Sequence, residues 1–127
     1  MPSTTLPHKL GIKPGSTLAL VSAPTGFEAA LAPLPAGAVV ERRLGARPTL
    51  TLWFVRRRAE LERRIAGIAV RSDGLWVAWP RAHTGVRTDV SQAVVREIGL
   101  ASGLVDFKIA ALDETWSAIR FSRRVGA

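Results

Sequence analysis

Seven consecutive residues constrain this chain more than any others: Gly74-Leu75-Trp76-Val77-Ala78-Trp79-Pro80. Five apolar residues stand between a glycine and a proline. The run is far too short to cross a bilayer, and proline, which cannot donate to a sheet ladder, stops it. The apolar/polar alternation of a half-wet strand is missing, so both faces must be buried, as in an inner strand of a parallel sheet. Trp76 and Trp79, three apart, point to opposite faces of such a strand. They cannot form one platform for stacking nucleobases, and together with Trp53 and Trp116 they read as core. The loop delivered by this strand, Arg81 to Asp89, is polar and basic. Ligands of open α/β sheets bind outside the carboxyl ends of the strands, which makes this loop the first place to look for a site.

The rest of the chain supplies neighbours for that strand. Thr17-Leu18-Ala19-Leu20-Val21 predicts a central parallel strand, Ala38 to Glu41 a short one near an edge, and Thr49 to Val55 a third, central one. Phe27 to Leu31 reads as a short helix stopped before Pro33. A longer helix is expected from Arg57 to Ala69, with Leu61, Ile65 and Ile68 on its buried face and a Glu60–Arg64 pair on the other. Thr88-Asp89-Val90-Ser91-Gln92 opens another, with Asp89 as N-cap, Gln92 completing a capping box, Val90, Val94 and Ile98 facing the core, and Gly99 ending it. Asp106 to Asp113 and Trp116 to Arg123 form a hairpin about Glu114-Thr115. Residues 1–8 read as a flexible polar tail. The order is β-α-β-β-α-β-α-β-β. Right-handed crossovers then build one three-layer α/β domain over residues 1–127, a mostly parallel Rossmann-like sheet closed by a C-terminal antiparallel hairpin.

Composition limits the chemistry. Cysteine is absent, which excludes disulfides and thiolate nucleophiles or ligands and is compatible with the reducing cytoplasm, the expected location. Neither a leader pattern nor an apolar run of about 18 residues is present, so no membrane association is expected. The formal net charge is +8, and fifteen of the eighteen basic residues are arginine. That balance favours encounter with polyanions; equally, it describes a solvated, arginine-rich surface.

No nucleophile elbow, Walker loop or GxGxxG occurs. His8 and His83 lie far apart without ligand spacing, so no metal is expected. A hydrolytic triad would have to combine His83 with Ser22 and Asp89. The better-supported constellation is an anion site at the strand ends, built from Ser22, Thr25, Arg56, Arg81, His83 and Thr84, whose guanidinium forks and hydroxyls suit phosphate or carboxylate. Arg56-Arg57-Arg58 at a helix start opposes the helix macrodipole, and a nearby anion or acidic group would relieve it.

Two resemblances follow from particular residues. Lys9-Leu10-Gly11-Ile12-Lys13-Pro14-Gly15, Ala23-Pro24-Thr25-Gly26-Phe27, Gly74 to Arg81, Thr88-Asp89, Val95-Arg96, Gly103 to Lys108 and Asp113-Glu114-Thr115-Trp116-Ser117 together resemble the small bacterial proteins of the domain-of-unknown-function family DUF 3052. That family implies no activity. Where its members often carry lysine and serine after the Trp-Pro, this chain has Arg81-Ala82-His83-Thr84-Gly85. The strand, helix, Ser72-Asp73-Gly74-Leu75-Trp76-Val77, helix and terminal hairpin look like the carboxyl half of a class I methyltransferase domain. The amino half departs from that pattern: Ser22-Ala23-Pro24-Thr25-Gly26 has one glycine, Glu41 stands beside two arginines, and a strand-helix unit is missing. The resemblance thus implies a truncated methyltransferase-like sheet without S-adenosylmethionine binding. No catalytic residue and no cofactor is expected. The expected function is a non-catalytic domain that binds an anionic small molecule or an acidic protein partner. The alternatives are a basic nucleic-acid-associated module and a degenerate methyltransferase-like or His83-dependent enzyme.

Overall fold

The computed structural model describes residues 5–45 and 47–123. At its centre lie β3 (Leu50–Phe54) and β4 (Gly74–Pro80), paired in parallel and buried at every position. β1 (Thr17–Val21) adds to the other side of β3, and the three-residue β2 (Val39–Glu41) forms one edge of the sheet. β6 (Trp116–Arg123) runs antiparallel against β4, and β5 (Leu104–Ala111) returns antiparallel to β6 as the other edge. The sheet therefore has six strands in the order β2-β1-β3-β4-β6-β5, with only β6 reversed. This is the mostly parallel α/β sheet with a closing hairpin that strand patterning anticipates.

Strict alternation divides the core in two. Trp53, Val55, Leu75, Val77, Trp79, Ile119 and Phe121 face α2 (Arg58–Ala69) and α3 (Gln92–Ala101), meeting Leu61, Ile65, Ile68, Val95 and Ile98. Leu18, Leu20, Leu50, Leu52, Phe54, Trp76 and Trp116 face the other way, under α1 (Leu6–Leu10) and a 3₁₀ turn at Phe27–Leu31. Trp76 and Trp79 thus serve opposite layers. The Trp76 indole donates to the Leu10 carbonyl at 3.0 Å and ties α1 to the central strand. The expected Glu60–Arg64 pair forms at 3.2 Å, half-buried along the flank of α2, with the Arg64 guanidinium 5.9 Å from the Trp53 ring centroid.

Several local expectations are corrected. Leu6–Leu10 is helical, not a loose tail: the Thr5 hydroxyl accepts from the His8 N–H, Pro7 suits the first turn, and Gly11 closes the helix at φ 81°. Residues 1–4 lie outside the described residues. Phe27–Leu31 is a 3₁₀ turn, tighter than the α-helix its composition suggests. α3 begins at Gln92 with Ser91 as N-cap, its hydroxyl accepting from the Val94 N–H. Asp89 is employed elsewhere, but Val90 and Ile98 are buried in the core and Val94 packs half-buried against it as expected, with Val95 joining them. Gly99 does not end α3. It lies within the helix, at a position where a Cβ would overlap the Phe121 ring, and the chain leaves the helix at Ser102 and Gly103 instead. The hairpin turn is wider than the expected two residues, and the Asp113 carboxylate holds it by accepting from the N–H groups of Thr115 and Trp116.

Candidate functional site

The carboxyl ends of β1, β2, β3 and β4 open on one side of the domain, and the loops there are cross-tied by arginine. Arg42, the first residue after β2, reaches across to the loop after β1. Its guanidinium grips Glu28 with two bonds of 2.6 and 2.8 Å and donates to the carbonyls of Ala23 and Pro24 at 3.0 and 2.8 Å. The hydrogen-bonded guanidinium holds the Glu28 carboxyl down from 4.5 to about 2, and the carboxylate in turn raises the Arg42 pKa. The span between the ends of β1 and β2 is therefore occupied by a bidentate ion pair of this chain. Ser22, the first residue beyond β1, takes φ 58°, which turns the chain sharply into Ala23-Pro24.

Beyond β3 the arrangement is different. Arg56 follows the strand and Arg57 precedes the first turn of α2. With Arg87, Thr88 and Asp89 they line a cleft of about 420 Å³. The loop is stitched to the strand end: the Thr88 hydroxyl donates to the Arg56 carbonyl at 2.7 Å, and the Asp89 N–H to the same oxygen at 3.3 Å. The Asp89 carboxylate accepts from the Arg58 N–H at 2.7 Å and so caps α2 from another element. That bond, with Glu62 and Glu97 beside the Arg58 guanidinium, answers the mismatch between three arginines and a helix start. Among the described residues, the guanidinium groups of Arg56, Arg57 and Arg87 make no ion pair with a carboxylate. The Arg56 group lies 5.4 Å from the Trp116 ring centroid.

The loop after β4 forms its own cleft, about 390 Å³, lined by Arg81, His83, Thr84, Glu114 and Thr115. Here Arg81 and Thr84 are bonded within the chain. The Arg81 guanidinium donates to the Asp113 carbonyl at 3.2 Å, its N–H to the Thr115 carbonyl at 2.7 Å, and the Thr84 hydroxyl to the Arg81 carbonyl at 2.8 Å. These bonds hold the short 3₁₀ turn Ala82–Thr84 against the hairpin.

The six expected anion ligands are thus divided. Arg81, His83 and Thr84 share one cleft, Arg56 lines another, and Ser22 and Thr25 line neither. His83, Ser22 and Asp89 do not share a cleft, and the Asp89 carboxylate is already the α2 cap. Arg57 and Arg87 are not among the six expected ligands. Their sequence signal was present in the Arg56–Arg58 triplet and in the basic loop 81–89, but which arginines keep a free fork depends on where Asp89, Glu62 and Glu97 fall in space. Arg42 and Glu28 were likewise unreadable as a pair, fourteen residues apart across an irregular loop. Among the described residues no group of His, Asp and Glu side chains is placed to hold a metal ion, and no helix is long and apolar enough to cross a membrane.

No family model and no curated protein matches the chain by sequence. Solved structures match its fold. Magnesium protoporphyrin IX methyltransferase from Synechocystis PCC 6803, with bound SAH, superposes with a TM-score of 0.57 at 12% identity, covering 87% of this chain and 75% of that one. The pyocyanin biosynthetic protein PhzM gives 0.66 at 11% identity, with 94% and 53% covered, so this chain spans about half of it. A cyclopropane-fatty-acyl-phospholipid synthase-like protein from Lactobacillus casei ATCC 334 gives 0.63 at 10% identity, with 92% and 88% covered. At such identities the likeness is one of architecture: the chain has a Rossmann-like, class I methyltransferase-like fold.

Proposed function

We propose that this chain is a non-catalytic methyltransferase-like domain that binds an anionic small molecule, one bearing phosphate or diphosphate, at the cleft between β3, α2 and the loop after β4. The observation that carries this reading is the grouping of Arg56, Arg57 and Arg87 around one cleft, their guanidinium groups free of carboxylate partners. Such forks match phosphate oxygens in charge and geometry. The position also agrees with the general behaviour of open α/β sheets, where ligands sit outside the carboxyl ends of the strands, here those of β3 and β4.

The residues at the ends of β1 and β2 do not fit the S-adenosyl cofactor of the structural neighbours. The Ala23 and Pro24 carbonyls, in the loop after β1, accept hydrogen bonds from Arg42, whose guanidinium also grips Glu28 there. Glu41, the acidic residue ending β2, is followed by that same Arg42. No step of a methyl transfer is therefore assigned. The resemblance to DUF 3052 belongs to this reading as well; it implies no activity and is compatible with a binding domain.

Titration calorimetry with inorganic pyrophosphate tests the reading. The wild type binds, and Arg57→Met and Arg87→Met each weaken binding about tenfold or more, the scale of one charge-assisted bond. Arg43→Met, an arginine outside the cleft, leaves it unchanged. Absence of binding, or equal effects of all three variants, refutes the cleft. Retention on heparin with a steep salt dependence would instead move the reading to the nucleic-acid module.

A further inference from the structure

The two edges of the sheet differ. β2 contributes three residues to one edge, whereas β5 leaves eight at the other, its outer N–H and C=O groups facing no strand. A long open edge is a template for another strand, and proteins blunt such edges with charge, proline or bulges. β5 has a bulge, the register shifting between Asp106 and Lys108, which leaves Phe107 60% exposed. Beyond the bulge the guard is lifted. Lys108–Ala111 runs in regular register against Ser117–Arg120, contains no proline, and exposes Ile109 at 50%. The Lys108 ammonium, the natural edge protector, is drawn onto the Lys9 carbonyl of its own chain at 2.7 Å.

The surface continues onto α3. Gln92 and Arg96 line both a cleft along β5, with Phe107 and Ile109, and a second along the outer stripe of α3, with Ala93, Glu97 and Leu100. Two of the exposed large apolar residues, Ile109 and Leu100, thus fall on one patch, with Phe107 at its margin, its ring 5.3 Å from the Arg120 guanidinium. Its charges cancel. Arg96 is bonded to Asp106 at 2.8 Å, Glu97 lies 3.8 Å from Arg58, and the Lys108 ammonium is turned away onto the Lys9 carbonyl. In a chain of net charge +8, two copies repel over most orientations. A patch with an apolar centre and balanced charges of both signs is where that repulsion is least and self-complementarity greatest.

We infer that the β5–α3 face is the site of homodimerisation, two copies pairing their β5 strands antiparallel about a two-fold axis near Ile109 and Ala110. The operation joins six strands from each copy into one continuous sheet and sets the two α3 helices side by side on the same face. There Arg96 and Glu97, adjacent and opposite in sign, meet their counterparts in reverse order. An acidic partner or a polyanion is a poorer occupant, because this patch lacks the excess positive charge found at the strand ends.

Sedimentation equilibrium of the full chain at low and high salt tests the assignment. The wild type is a dimer in both, since the apolar contact is not screened. Ile109→Arg and, independently, Leu100→Glu raise the dimer dissociation constant about a hundredfold, each keeping the wild-type circular dichroism spectrum. Val39→Arg, on the opposite edge, changes nothing. A wild type that is monomeric at roughly 200 µM, well above the range for a standard interface, overturns the inference. So does a dimer that survives both substitutions, one broken by Val39→Arg, or one that dissolves in high salt.

Discussion

Replacing Gly99 by alanine separates helix propensity from packing. A glycine inside a helix normally costs about 1 kcal/mol relative to alanine. Gly67, in α2, is the reference: nothing lies within 4 Å of where its Cβ would stand, so Gly67→Ala should stabilise the protein by roughly that amount. Gly99, in α3, looks the same in sequence but packs against Phe121, a ring with no exposed surface. A Cβ there overlaps two ring carbons, and the fully buried ring has nowhere to go between α3 and the sheet. Overpacking of this kind costs about 1–3 kcal/mol, occasionally more, which cancels or exceeds the propensity gain. The two substitutions should therefore differ by about 1–3 kcal/mol, with the Gly99→Ala protein the less stable. Urea unfolding reads this directly, since 2 kcal/mol at a slope near 2 kcal/mol/M separates the midpoints by about 1 M. Adding Phe121→Leu to Gly99→Ala should recover about 1–2 kcal/mol relative to the sum of the single changes. If Gly99→Ala is as stabilising as Gly67→Ala, or the double variant shows no coupling, the close helix-to-sheet contact is not what holds glycine at this position.

Other substitutions test other parts of the structure. The folded-state pKa of Glu28 is depressed, so its contribution is complete above the unfolded value of 4.5 and disappears as pH falls toward about 2; the melting-temperature gap between wild type and Glu28→Gln should be open at pH 7 and closed near pH 2, and a pH-independent gap would contradict the Arg42 clamp. Asp89→Ala removes the α2 cap, costing about 1 kcal/mol, yet takes a negative charge from the cleft, so denaturant melts should show a weaker fold while calorimetry shows tighter pyrophosphate binding. Thr51→Val replaces a buried hydroxyl that has no hydrogen-bond partner; it should be neutral or stabilise by about 1 kcal/mol in urea melts, and a clear loss would mean the hydroxyl is satisfied.

The sheet was legible because its strands carry their own evidence. Gly74 to Pro80 and Leu50 to Phe54 are apolar on both faces, which only an inner strand permits, and both are buried throughout. The hairpin and α2 followed from periodicity. What patterning missed was set by contacts between distant segments. Asp89 has every local mark of an N-cap for the helix after it, but its carboxylate caps the helix before it. Gly99 has the local mark of a helix end, and its true constraint is a ring on β6. At the strand ends, residue types pointed to arginine chemistry, while pairing decided which arginines were spent: Arg42 on Glu28, Arg81 on the hairpin, and Arg58 on Glu62 and Glu97.

The proposed function turns on what the strand ends accept, and a thermal-shift comparison of two ligands on the wild-type chain tests it most directly. A ligand at a hundred times its dissociation constant stabilises the folded state by about 2.7 kcal/mol, readily seen as a rise in melting temperature. Pyrophosphate should produce that rise, and S-adenosylmethionine at the same concentrations should produce none. A rise with S-adenosylmethionine and none with pyrophosphate would mean that Arg42 yields its place to the cofactor, and the chain would then be a methyltransferase-like cofactor binder instead of the anion-binding domain proposed for it.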